Sequence, residues 1–117
     1  MKSASLRKKE RVVRRADFTD IKLRGKRLRT DNFTITARPN GGDITRLGIT
    51  VSRRAGNSAK RNRVKRLIRE FFRLHKHVMP SGYDIVITPR HEIEAPSFSR
   101  VREELCSALV KNGEFLS

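Results

Sequence analysis

The segment Ala59–His77 constrains this chain more than any other, because one helical period sorts it into two opposed faces. Wound at about 100° per residue from Val64, the residues Leu67, Ile68, Phe71, Phe72, His75 and Val78 fall within roughly 80° on either side. They form an apolar stripe that has to lie on a core. Between roughly 100° and 200° on the same wheel lie Asn62, Lys65, Arg66, Arg69, Arg73 and Lys76. No acid stands among them, and Glu70 sits to the side. Any fold built on this helix turns a row of cations outward.

Solvated helix faces ordinarily mix signs, since like charges one turn apart cost a few tenths of a kcal/mol. Here Lys65–Arg69, Arg69–Arg73 and Arg66–Arg69 are all repulsive neighbours. A phosphate backbone reverses that cost through charge-assisted contacts and counterion release. The whole chain points the same way: 28 Lys and Arg face 12 Asp and Glu in 117 residues, a net charge of +16. Such a chain needs a polyanion. Arginine predominates on the helix, and its planar fork grips phosphate and stacks on unpaired bases, which favours folded RNA over an anionic membrane. The same argument does not separate RNA from DNA.

The rest of the chain reads as one domain around this helix. Residues 1–12 are a basic tail with no expected core contribution, 13–112 the domain, and 113–117 a flexible end. Arg14–Arg24 is helical, with Phe18 and Ile21 on one face and Gly25 as its stop. Lys26–Arg29 is a weak edge strand. Asn32–Arg38 alternates, Phe33, Ile35 and Ala37 one way, Thr34, Thr36 and Arg38 the other. Arg46–Ser52 alternates with Leu47, Ile49 and Val51 inward. A loop through Gly56 follows, with Asn57 or Ser58 able to cap the central helix. Tyr83–Thr88 is a strand closed by Pro89, and Ser97 caps a last helix reaching about Lys111. Strand, helix and strand from Arg46 to Pro89 make a βαβ unit.

Several chemistries are missing. His75 and His77 project from different helix faces, so a shared metal is not expected, and His75 belongs with the packed stripe. His91 lies in a charged loop. Cys106 reads as a small buried filler. Glu103 and Glu104 are adjacent and make a poor acid/base pair. There is no glycine-rich nucleotide loop. No apolar run approaches the ~18–20 residues of a bilayer span, the basic N-terminal stretch lacks the apolar segment of a signal peptide, and a single cysteine forbids an internal disulfide. The expected compartment is the cytoplasm, with no membrane partner.

Three runs carry a family resemblance. They are Arg46-Leu47-Gly48-Ile49-Thr50-Val51-Ser52-Arg53-Arg54, then Gly56-Asn57, then Lys60-Arg61-Asn62-Arg63-Val64-Lys65-Arg66-Leu67-Ile68-Arg69-Glu70-Phe71. Together they closely resemble the bacterial ribonuclease P protein family, whose mark is the Arg-Asn-Arg stretch on the helix. Asp17-Phe18, Gly25, the Gly82–Ile87 run and Pro89-Arg90 extend the match along nearly the whole chain. The resemblance implies an α+β fold, a single-domain two-layer α/β sandwich of order α-β-β-β-α-β-α with a left-handed βαβ crossover. It implies a protein subunit of an endoribonuclease whose RNA does the cutting, with Mg2+ held mainly by that RNA and no catalytic residue on the protein. The implied partners are the catalytic RNA and precursor tRNA.

By the same resemblance Arg61, Asn62, Arg63, Lys65, Arg66, Arg69 and Arg73 contact the catalytic RNA. Phe18, Lys22, Thr36, Arg53 and Arg90 line a cleft for the 5′ leader of precursor tRNA, between the first helix and the open sheet face. Two positions depart from the family, Lys22 and Thr36, where aromatics are common, so charge replaces some stacking. The rival readings are a ribosomal or other RNA-scaffold protein, a stand-alone nuclease, which needs convergent acids that this sequence scatters, and a DNA-binding helix, which lacks the preceding partner helix.

Overall fold

The computed structural model describes residues 6–111. Its elements run α1 (Arg15–Arg24), β1 (Lys26–Arg29), β2 (Phe33–Pro39), β3 (Arg46–Ile49), α2 (Ser58–His75), β4 (Tyr83–Pro89) and α3 (Phe98–Cys106). This is the expected order. The strands form one sheet, β1-β2-β4-β3. β2 pairs antiparallel with β1 and β4, and β3 pairs parallel with β4. The parallel pair is joined through α2, giving the expected βαβ unit.

Strand parity divides the sheet into two faces. Phe33, Ile35 and Ala37 of β2, Leu47 of β3, and Ile85 and Ile87 of β4 turn toward α2 and α3. There they meet Val64, Ile68, Phe71 and Phe72 of α2 and Val101 and Leu105 of α3, all buried. Burying such a stripe is what holds α2, since propensity alone seldom stabilises a helix of this length. Cys106 is buried beside them, as expected. His75 stacks on Phe71 with ring centroids 4.5 Å apart. Asn57 caps α2 by accepting from the Lys60 N–H at 2.9 Å, and Ser97 caps α3 from Arg100.

The opposite face carries a second, smaller core, where Ile21 of α1 and Val12 pack on Val86, with Phe18 against them. Two glycines permit this approach. A side chain at Gly25 would stand 2.6 Å from the Ile21 carbonyl and 2.7 Å from Thr36 Cγ2; at Gly48 it would stand 2.6 Å from the Phe18 ring. Gly25 has φ −75°, so it ends α1 by its lack of a side chain and not by a left-handed turn.

Two expectations change, at the tail and at Val78. Part of the tail belongs to the fold: Val12 is buried, Leu6 packs on the main core, and the Val12 N–H donates to the Leu47 carbonyl at 2.9 Å. A 3-10 turn at Lys8–Glu10 separates these two apolar anchors, so no strand or helix period marks them in the sequence. Glu10 is buried with Lys76 Nζ 2.5 Å from its carboxylate, and that partner lies far along the chain. Val78 leaves the apolar stripe and is 50 % exposed, because α2 ends at His75 and a 3-10 turn follows. The α-helical part of the last helix stops at Cys106 and continues as a π turn over Ser107–Lys111. Residues 113–117 and the first part of the tail lie outside the described residues.

Candidate nucleic-acid interface

The cation row on α2 survives in the structure but is narrower than its sequence pattern. Asn62, Arg66 and Arg69 are exposed and Lys65 is half-exposed. Among the described residues none of the cations Lys65, Arg66 and Arg69 has an ion-pair partner. Toward the C-terminal end the protein uses its own acids. Arg73 donates to both oxygens of Glu70, at 3.2 and 3.0 Å, and Lys76 is held by Glu10. Arg73 is therefore a weaker member of the row than the wheel implied, because Glu70 three residues earlier reaches it around the helix. Arg63 stands off to the side, its Nε donating to the Pro96 carbonyl at 3.1 Å. Arg61, Asn62 and Lys65 converge with Ser58 on a shallow hollow of about 180 Å3 at the start of α2. Arg61 reaches the Ser58 hydroxyl at 3.1 Å, and its Nε is enclosed without a partner.

Several other acids are drawn into structural work elsewhere. Asp84 is fully buried and takes two hydrogen bonds from Arg46, at 2.8 and 2.7 Å, and one from Asn40 at 3.0 Å. Burial opposes its charge, but these donors outweigh burial and lower its pKa. Asp20 of α1 pairs with Arg38 and Arg24, and Asp17 lies 3.9 Å from Arg46. The pairs to Arg38 and Arg46 bind α1 to the sheet. Glu104 accepts from the Thr30 hydroxyl, the Asn32 N–H and the Asn32 side chain, closing the β1–β2 turn. Glu92 pairs with Lys60 and ties the loop after β4 to the first turn of α2. Among the described residues no three His, Cys, Asp or Glu side chains stand together as metal ligands.

The polar face of the sheet is three cross-strand rows deep. Arg38, Asp84 and Arg46 form one, and Thr36, Val86 and Gly48 the next, from register. α1 covers both. Only the third row, Arg29, Thr34 and Thr88, is left open, continued by Thr50, whose hydroxyl lies 2.6 Å from that of Thr88. A groove of about 460 Å3 runs there, with Ser52, Arg54 and Arg90 on its walls.

This geometry corrects the expectation at Thr36. Thr36 is buried beneath the end of α1, 3 % exposed, and is closed to a ligand. Lys22 is exposed on α1, and Phe18 is half-buried against the small core. Arg53 is exposed, but its neighbour Arg54 lines the groove. Arg90 lines it too, with one nitrogen donating to the Thr30 carbonyl at 2.7 Å. Beside it, His91 contacts the Glu92 and Asp31 carbonyls, which favour its charged form and raise its pKa. Sequence reading missed Arg29, Thr34, Thr88 and Arg54. The available signal was parity: Arg29 lies on the same side of β1 as the polar residues of β2.

Ridge and groove are joined. The 3-10 turn Arg53–Ala55 leads through Gly56, at φ +112°, straight into α2. A positive φ there favours glycine. The basic surface thus continues from Arg90 and Arg54 to the hollow at Arg61 and on to Arg69. No helix among the described residues is long and apolar enough to cross a membrane.

The family model described as ribonuclease P matches residues 6–113. The ribonuclease P protein component of Syntrophus aciditrophicus is 43% identical over 111 residues, covering 95% of this chain and 93% of that protein. That of Thermotoga maritima is 43% identical over 109 residues, covering 90% and 93%. The solved Thermotoga maritima protein superposes with a TM-score of 0.80 over 87% of this chain and 96% of its own. The Staphylococcus aureus protein, 29% identical, gives 0.79 over 92% and 98%.

Proposed function

This chain belongs to the ribonuclease P protein family, and from that premise we propose that its α2 ridge docks on the catalytic RNA while its sheet groove takes the 5′ leader of precursor tRNA. The chain is the protein subunit of the ribonuclease P holoenzyme, an endoribonuclease of tRNA processing.

The observation that carries the docking is the unpaired middle of α2. Lys65, Arg66 and Arg69 stand without acids, while Glu10, Glu70, Glu92 and Asp84 each neutralise a cation elsewhere. Positive charge held on a rigid helix meets phosphate without first being ordered, so less entropy is lost on binding. The groove suits a single strand. Arg29, Arg54 and Arg90 track a backbone, the threonine row offers hydroxyls, and Lys22 is exposed on the neighbouring α1, with Phe18 half-buried over Gly48. With Thr36 buried, the groove relies on charge and hydroxyls more than on stacked rings.

Glu10, Asp17, Asp20, Glu70, Asp84 and Glu92 are paired with cations and Glu104 is committed to the β1–β2 turn, so these carboxylates do not suit a divalent ion. On this reading Mg2+ is held mainly by the RNA, and cleavage is the RNA's. The protein contributes affinity and offsets repulsion between two RNAs. The same reading places the chain in the bacterial cytoplasm with its RNA. The test adds purified protein to its matched catalytic RNA at low magnesium. Faster leader removal, with the gain shrinking as magnesium rises, is expected. No acceleration favours a scaffold protein instead.

A further inference from the structure

The outer edge of β3 holds a small slot that neither the ridge nor the groove accounts for. It measures about 110 Å3 and has Leu47 and Ile49 at its base, with Val12, Phe18 and Leu6 as apolar walls. Two exposed guanidiniums complete it, Arg11 from the N-terminal segment and Arg69 from α2.

The slot exists because an edge strand is only half covered. The N-terminal segment pairs with β3 at one point, Arg11 beside Leu47, where the Val12 N–H reaches the Leu47 carbonyl. The chain then turns away, and α1 begins after Arg14. In a parallel ladder, alternate residues turn both main-chain groups to the same side. Ile49 therefore presents its N–H and C=O to the edge that Leu47 uses, two residues on. Among the described residues no main-chain bond from outside the sheet reaches Ile49.

Apolar walls, an amide donor beside an acceptor, and two guanidiniums match one chemical object. A nucleobase has flat apolar faces, a rim of donors and acceptors, and a phosphate attached. An arginine stacks on such a face as readily as it binds the phosphate. A membrane would satisfy the arginines and leave the amide edge unused, and an added peptide strand needs a longer run of free edge than Ile49 alone offers. The location fits as well, since Arg69 belongs to the ridge and Phe18 to the α1 face, so RNA passing between them crosses the slot.

We propose that this slot receives one unpaired nucleobase of the RNA, its edge on the Ile49 main chain and its phosphate at Arg11 or Arg69. The proposal rests on reading the chain as an RNA-binding subunit. The base belongs either to the catalytic RNA or to the leader.

The test is chemical probing of base edges, on the catalytic RNA with protein and on the holoenzyme with precursor tRNA, using the wild-type chain and Leu6→Trp, which fills the slot. Wild-type protein is expected to protect the pairing edge of one unpaired nucleotide. Leu6→Trp should expose it again and weaken binding roughly five- to hundredfold, the range of base stacking. The RNA that shows the protection identifies the source. If Leu6→Trp lowers the unfolding temperature, Arg11→Ala on the exposed rim replaces it with the same expectation. Protection unchanged in both variants, while Arg66→Ala still weakens binding, overturns the slot and leaves the ridge reading standing. Binding indifferent to Arg66→Ala as well overturns that reading.

Discussion

Arg46 lays its Nε and one terminal nitrogen on the two oxygens of Asp84, at 2.8 and 2.7 Å, at the centre of the charge lattice that holds α1 on the sheet. The carboxylate is fully buried, and its guanidinium partner is raised in pKa by the same contact. Such a pair is costly to break from one side, because a charge is left facing an uncharged site.

Asp84→Asn should therefore destabilise the protein by about 3–5 kcal/mol in denaturant unfolding. The pH dependence follows from the lowered pKa of Asp84. Its contribution is fully present above the ordinary aspartate value of 3.8 and is lost as pH falls through the lower, folded value. The wild type should lose stability steeply on acidification, and the variant less so. Equal acid sensitivity in both would show that Asp84 is not the group responsible.

Gly48→Ala should push Phe18 aside, since the added carbon would stand 2.6 Å from its ring, a rigid group with Val12 also close. Overpacking of this kind costs about 1–3 kcal/mol. Thermal unfolding measures it, and precursor tRNA affinity should fall alongside because α1 moves. An unchanged melting temperature would mean that Phe18 is free to swing away.

Glu70→Gln should strengthen binding to the catalytic RNA a few-fold at low salt. The substitution frees Arg73 from its bonds at 3.2 and 3.0 Å and removes an acid from beside the ridge. In the wild type, Arg73→Ala should cost less affinity than Arg66→Ala. Equal losses would contradict the self-neutralised state of Arg73.

Much of this was legible in the sequence. The α2 stripe was, because Val64, Ile68, Phe71 and Phe72 repeat at the helical period and all four are buried. Element order was too, because each turn carries its own glycine, proline or capping residue. Side-chain partners across the fold were not. Nothing near Glu10 in sequence announces Lys76, and nothing near Thr36 announces the end of α1 above it. Periodicity assigns a residue to a face and says nothing about what covers that face. Of the expected cleft residues Thr36 therefore stands in a row that α1 occupies, one row away from the open groove that Arg90 lines.

That difference separates two residues. Arg54→Ala should weaken leader-bearing precursor more than mature tRNA, because Arg54 lines the open groove. Thr36→Ser, at a buried site, should leave that discrimination unchanged and act only on stability. Competition binding with the two RNAs decides it, and the reverse pattern would restore Thr36 to the cleft.

The most direct measurement of the central claim is the salt dependence of binding to the catalytic RNA, for the wild type and for the triple variant Lys65→Ala, Arg66→Ala, Arg69→Ala. Each phosphate that the variant no longer neutralises should reduce the slope of log affinity against log salt by about 0.7–0.9. The account predicts a slope shallower by roughly two to three, with the fold intact. An unchanged slope and affinity would contradict it, because the outward cations in the middle of α2, which lack acid partners, would then not be where the RNA lies.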